Sequence, residues 1–351
     1  MKKRGVLSLV MSFCVAAMAL LPGCSSDKGE NGELNVFVWT EYVSDEAISA
    51  FEQQTGIKVN LSTFSSNEEM LAKLKSEAEG TYDIILPSDY MVESLIAQDM
   101  LEPIDISTMD NISNINPIYL NPSYDPGNQY SVPYQGGVAA IAVNTAVCDA
   151  QITSYADLFN PELAGQLVVL DDFRAVIGIT AKSLGYSMSE TDPEVLAEIE
   201  AQLLELEDNI ALYDSDSPKT ALISGDASVG MVWSAEIALA MEENPDIEII
   251  FPEEGCYLFL DNWCIPKGAS NYDNACTFMN FMMSEEAAVM NLEAFPYLTT
   301  NMAALDAMGA EYVENEAKNP PAEVIAAGEF CRSLEAETLT IYDEMWTELK
   351  G

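Results

Sequence analysis

The chain has 351 residues, 14 of them basic and 58 acidic, for a formal net charge of −44, and it contains no histidine. Its length and ordinary apolar content fit a globular protein with two α/β domains or one large one. The charge leaves no basic footprint for nucleic acid. The missing imidazole excludes His-dependent triads, His metal ligands and His proton shuttles.

At the N-terminus, Lys2, Lys3 and Arg4 precede an apolar run over 6–21, too short and too unevenly flanked for a membrane span. It ends in Leu20, Leu21, Pro22, Gly23 and Cys24, which resembles a bacterial lipobox. That resemblance implies a signal peptide over 1–23, lipid on Cys24, a tether over 24–33 and an extracytoplasmic, membrane-anchored fold. An uncleaved signal anchor would export the fold equally. Cys148, Cys256, Cys264, Cys276 and Cys331 form no Cys-x-x-Cys pair, so zinc-type spacing is absent and no metal or cofactor is expected. They read as small buried hydrophobes, with one unassigned disulfide left open.

Residues 34–38 read as a buried strand, and Trp39, Thr40, Glu41 and Tyr42 stand at its C-terminal end. Ligands in open α/β sheets sit at such strand ends. Ser44 caps a helix that turns Ala47, Ile48 and Phe51 inward and stops at Gly56. A strand over 57–61 follows, then a Ser66/Glu69 capping box ahead of Met70, Leu71 and Leu74. A strand over 83–87 ends in Ser88, Asp89 and Tyr90. Strands alternating with helices predict an α/β architecture with a mainly parallel sheet. Around 137–144 a Gly pair leads into small apolar residues, a candidate for a strand crossing between two domains.

A second αβ series begins with a strand over 167–170 ending in Asp171 and Asp172. Asp192 and Pro193 open a helix with Leu196, Ile199 and Leu203 on one face. Strands over 210–213 and 228–232 end in Asp214, Ser215 and Asp216, and in Trp233, Ser234, Ala235 and Glu236. Strands over 247–251 and 257–266 follow, then helices over 272–283 and 333–349.

The recurring pattern is a strand end that carries an aromatic or hydroxyl beside a carboxylate. An alkylammonium ligand needs that mixture: each buried ammonium requires a carboxylate, and methylene linkers pack on aromatic faces with cation–π attraction near the charge. With these motifs in order, residues 34–351 resemble the spermidine/putrescine-binding proteins of bacterial polyamine ABC importers. The strongest matches include Trp39, Thr40, Glu41 and Tyr42; Ser88 and Tyr90; Asp171, Asp172 and Arg174; Thr191, Asp192 and Pro193; and Gly230, Met231 and Trp233.

The resemblance implies the type II periplasmic-binding-protein fold, two lobes each with its own sheet, closing on the ligand. With crossings near 137–144 and 259–266, lobe 1 would be 34–138 with 261–304, and lobe 2 would be 139–260 with 305–351. Trp39, Tyr42, Tyr90, Trp233 and Phe259 would form an aromatic box. Glu41, Asp172, Glu236 and Asp261 would meet ligand nitrogens, and Thr40, Ser88, Ser215 and Tyr297 would add polar contacts or a lining ring. Ala175 and Cys331 depart from the family pattern at an amine-binding Glu and a Gln. The partners implied are a polyamine, an ABC permease and, through Cys24, a membrane, with the chain a monomer that performs no chemistry. The alternatives are a same-fold protein for another solute, and a secreted glycoside-type hydrolase using two acids.

Overall fold

The computed structural model describes Gly29 and residues 31–351; the signal peptide and Cys24 lie outside the described residues. The chain begins β1 (Glu33–Trp39), α1 (Asp45–Thr55), β2 (Lys58–Phe64), α2 (Asn67–Ser76), β3 (Ile84–Ile85) and α3 (Asp89–Ala97). The long β4 (Ser131–Asn144) leads to β5 (Leu167–Val169), α4 (Phe173–Ser183), α5 (Pro193–Leu204), β6 (Ile210–Tyr213), α6 (Lys219–Ser224), β7 (Val229–Trp233), α7 (Ser234–Glu243) and β8 (Ile247–Ile250). Then come β9 (Tyr257–Cys264), α8 (Tyr272–Met282), α9 (Glu285–Ala294), β10 (Leu298–Thr299), α10 (Met302–Val313), α11 (Ala322–Ala327), β11 (Glu329–Phe330) and α12 (Ala336–Lys350).

Local chemistry sets these boundaries. Ser44 Oγ accepts from the Ala47 amide at 3.1 Å to open α1. Gly56 closes it with φ +69°, a left-handed conformation that costs glycine nothing. Asp192 caps α5 and Pro193 takes its first turn, where a missing N–H is harmless. The strand expected over 83–87 shortens to two residues. Its neighbour Asp83 is instead fully buried, and its carboxylate accepts from the Asn35 and Asn271 amides.

The strands order as β2-β1-β3-β9-β4-β7-β5-β6, with β10 and β8 on β4 and β11 on β9. The outer trios β2-β1-β3 and β7-β5-β6 are parallel, while β4 and β9 run antiparallel to each other. This is the type II two-lobe α/β fold. The lobes do not own separate sheets, however: one curled hydrogen-bonded ladder passes through both. Length explains it. The 14 residues of β4 extend about 45 Å, enough to pair with β10 at Gly136 and with β7 and β8 from Ala139 to Asn144.

Where β4 and β9 cross, their register shifts between Pro133 and Gly136. A Cβ on Gly136 would stand 2.5 Å from the Phe259 carbonyl oxygen. At the other end, α10 packs on α9 through Ala288, Leu292, Ala304 and Tyr312, and the Tyr312 hydroxyl donates to the Tyr297 carbonyl at 2.7 Å. All five described cysteines are free thiols, so the disulfide left open by the sequence does not form.

The close approach at Gly136 has a measurable cost. Gly136→Ala should destabilise the protein by about 1–3 kcal/mol, the usual penalty for overpacking. A urea midpoint equal to the parent's would show that β4 and β9 can separate there without strain.

Candidate functional site

Alternation along β9 directs Tyr257, Phe259 and Asp261 to one face, where they meet the ends of β1 and β7. The result is a narrow cavity of about 40 Å³. Its rings are Trp39, Tyr42, Trp233, Tyr257, Phe259 and Tyr297. Tyr42 and Tyr297 meet edge-on at 4.5 Å between centroids, and Trp233 and Phe259 at 4.9 Å. Polar groups from Thr40, Ser65, Asn67, Ser88 and Ser215 interrupt this wall, along with the carboxylates of Asp172, Asp216 and Asp261.

Asp261 is 2 % exposed. Its Oδ1 accepts from Ser88 Oγ at 2.6 Å, and the same hydroxyl accepts from Asn67 Nδ2 at 3.0 Å. Ser88 stands at the N-cap position of α3 yet makes no cap bond there, its side chain being committed to Asp261. Burial pushes the Asp261 carboxyl up to about 7, with Ser88, Tyr42 and Trp39 pulling it back. The Tyr42 hydroxyl and Trp39 indole N–H lean toward it without closing a hydrogen bond, and both remain buried without a partner, as does Ser215 Oγ. Unsatisfied buried polar atoms are rare, and these three all belong to residues that line the cavity.

Asp172 caps α4: Oδ1 accepts from the amides of Arg174 at 2.9 Å and Ala175 at 3.1 Å. Burial and then the nearby Glu68 push its carboxyl up to about 6, against the pull of those amides and the Arg174 guanidinium. Among the described residues, neither Asp172 nor Asp261 has a cation within ion-pair distance. Asp171, next in sequence, turns outward onto Lys350 at 2.6 Å.

Three of the expected residues do not line the cavity itself. Glu41, in a left-handed conformation at φ +51°, leaves the wall and accepts from Lys219 Nζ at 2.9 Å. Glu236 accepts from the same ammonium at 2.8 Å. Tyr90 lies under the Arg174 guanidinium, 4.2 Å from its ring centroid, while Arg174 Nε donates to Glu68 at 2.8 Å. The other ten expected residues line the cavity: Trp39, Thr40, Tyr42, Ser88, Asp172, Ser215, Trp233, Phe259, Asp261 and Tyr297.

Sequence reasoning missed Ser65, Asn67, Asp216 and Tyr257. Tyr257 was accessible to it, since strand alternation places 257 with 259 and 261. Asn67 was not, because it lies inside the first turn of α2 and reaches the site only through folding.

This arrangement sets carboxylates beside aromatic rings, a combination suited to an organic cation. The match to known proteins agrees. The family model described as bacterial extracellular solute-binding protein matches residues 46–321. The spermidine/putrescine-binding periplasmic protein of Escherichia coli (strain K12) is 37% identical over 96% of this chain and 97% of its own length. Among solved structures, the spermidine/putrescine ABC transporter substrate-binding protein of Streptococcus pneumoniae has a TM-score of 0.76 and 33% identity, covering 91% of this chain and 98% of that one. A Treponema pallidum lipoprotein has a TM-score of 0.80 and 28% identity over 90% and 99%. Coverage at both ends, with the shared fold and a cavity between strand ends, places this chain in the bacterial extracellular solute-binding protein family.

Proposed function

We propose that this chain captures a polyamine, spermidine or putrescine, outside the cytoplasm and delivers it to an ABC transporter permease, without catalysis of its own. One observation carries the reading: two buried carboxylates, Asp261 and Asp172, face an aromatic cavity with no cation within ion-pair distance among the described residues. An isolated buried charge is costly, so each carboxyl either holds a proton or meets a cation, and a ligand ammonium would supply that cation. The methylenes between ammoniums would lie on Trp233, Phe259 and Tyr297. The names of the relatives support this choice of cation. Arg174 gives no case for an anion, because Glu68 already neutralises it.

In this reading the chain works as a monomer anchored by lipid on Cys24, with 1–23 removed and 24–33 as tether. Lobe 1 comprises 34–138 and 261–304, and lobe 2 comprises 139–260 and the C-terminal segment.

Calorimetric titration with putrescine, spermidine, spermine and an amino acid tests the reading: at least one polyamine should bind, and the amino acid should not. Asp261→Asn should weaken polyamine binding by about 2–5 kcal/mol, the cost of leaving an enclosed charge unpaired. Asp171→Asn should bind like the parent. Parent-like binding by both variants would remove Asp261 from the site.

The same substitution has an opposite effect on the ligand-free fold. An unfolded aspartate titrates near 4, below the folded value of about 7. The folded state therefore holds an extra proton between those values, and its stability falls as pH rises through that window. Asp261→Asn should stabilise the ligand-free protein by about 1–3 kcal/mol near pH 8 and hardly at all near pH 4. Urea unfolding at both pH values reads this directly, and equal gains at the two would contradict it.

Binding should also release protons, since an ammonium requires Asp261 and Asp172 ionised. Their values of about 7 and about 6 put the loss of affinity between about pH 8 and pH 5 as acid is added. Calorimetry in buffers of different ionisation enthalpy measures the proton count. Zero protons released near pH 6.5 would rule out both carboxyls as the ammonium partners.

A further inference from the structure

The chain carries a cation of its own at the rim of the cavity. Lys219, the first residue of α6, places Nζ 2.8 and 3.1 Å from the two carboxylate oxygens of Glu236 and 2.9 Å from Glu41 Oε2. The Glu236 side chain is only 4% exposed, and that of Lys219 17%. The cluster borders the cavity on each side: Thr40 precedes Glu41, Trp233 lies one turn before Glu236, and Ser215 and Asp216 precede Lys219. Two enclosed carboxylates line the cavity, Asp172 and Asp261, and a third, Glu236, stands at its rim. Of these three, Glu236 alone has an ion-pair partner among the described residues.

We infer that Lys219 is a specificity-determining residue: its ammonium takes the place between Glu41 and Glu236 that a further ligand ammonium would fill, and so restricts the site to a diamine. This rests on the polyamine reading. The charge balance gives the reason. Two enclosed carboxylates without cations call for two ammoniums, whereas a third would have to displace Lys219 from a bond that is largely shielded from water. Expelling Lys219 would cost its pairing with Glu236 and leave a second cation crowded against the ligand's own. Shortening Lys219 reverses the balance, leaving Glu236 enclosed and unpaired, a vacancy for a longer amine.

The test is the ratio of spermidine to putrescine dissociation constants, measured by calorimetry on the full chain. The parent should bind putrescine more tightly. Lys219→Met should move the ratio toward spermidine by about tenfold or more, the scale of one enclosed ion pair gained. Lys219→Arg, which keeps the charge, should hold the parent's ratio. A parent that prefers spermidine overturns the assignment whether or not any variant folds. So does a Lys219→Met protein whose ratio stays within about twofold of the parent's, since equal loss of both ligands is what a purely structural brace would give. A parent that binds no polyamine overturns the functional reading first, and this inference with it.

Discussion

A carboxylate sealed among aromatic rings remains ionised only in the company of a cation, and the architecture around Asp261 follows from that constraint. Ser88 forgoes its helix cap to donate to Asp261, and Asn67 fixes Ser88 in turn. Trp39 and Tyr42 keep donors in reserve beside it. These groups come from β1, α2, the start of α3 and β9, so one charge organises four separate segments of chain. A preformed set of dipoles around one buried carboxyl costs folding energy, as expected of a site made to bind rather than to be stable.

Position matters as much as chemistry. Asp261 lies on β9, one of the two strands that run through both halves of the ladder. Along this strand Asp261 faces the cavity, while the amide of the preceding Leu260 donates to Asp89 at 3.1 Å. The segment that receives the ligand's charge is thus tied to α3 by its backbone and to β4 by its pairing, with Gly136 allowing the tight approach. Movement of one half relative to the other must bend the strand that carries the binding group.

Strand-end chemistry was legible in the sequence because it depends on local order: an apolar run, then Trp39-Thr40 or Asp171-Asp172, is visible without any fold. The crossings were legible from the Gly pair and the small apolar run that β4 became. Three things were hidden, each for a definite reason. Glu41 leaves the wall because its left-handed backbone turns it away, which no propensity announces. Tyr90 and Arg174 find each other across 84 positions, and Lys219 finds Glu41 across 178. Among 58 acids a single lysine gives no sign of its two partners until the chain is folded. The expectation of two separate sheets failed because pairing patterns do not show how far a long strand continues.

Arg174 joins three helices from within the chain. Its guanidinium, on α4 beside β5, is 5% exposed; it pairs with Glu68 on α2 and lies over Tyr90 on α3. All these atoms belong to the chain, so the β5 side and the β1 side attract each other with no help from a solute. The contact between these elements is therefore held by groups of the chain itself, with the guanidinium shielded from water and from screening salt.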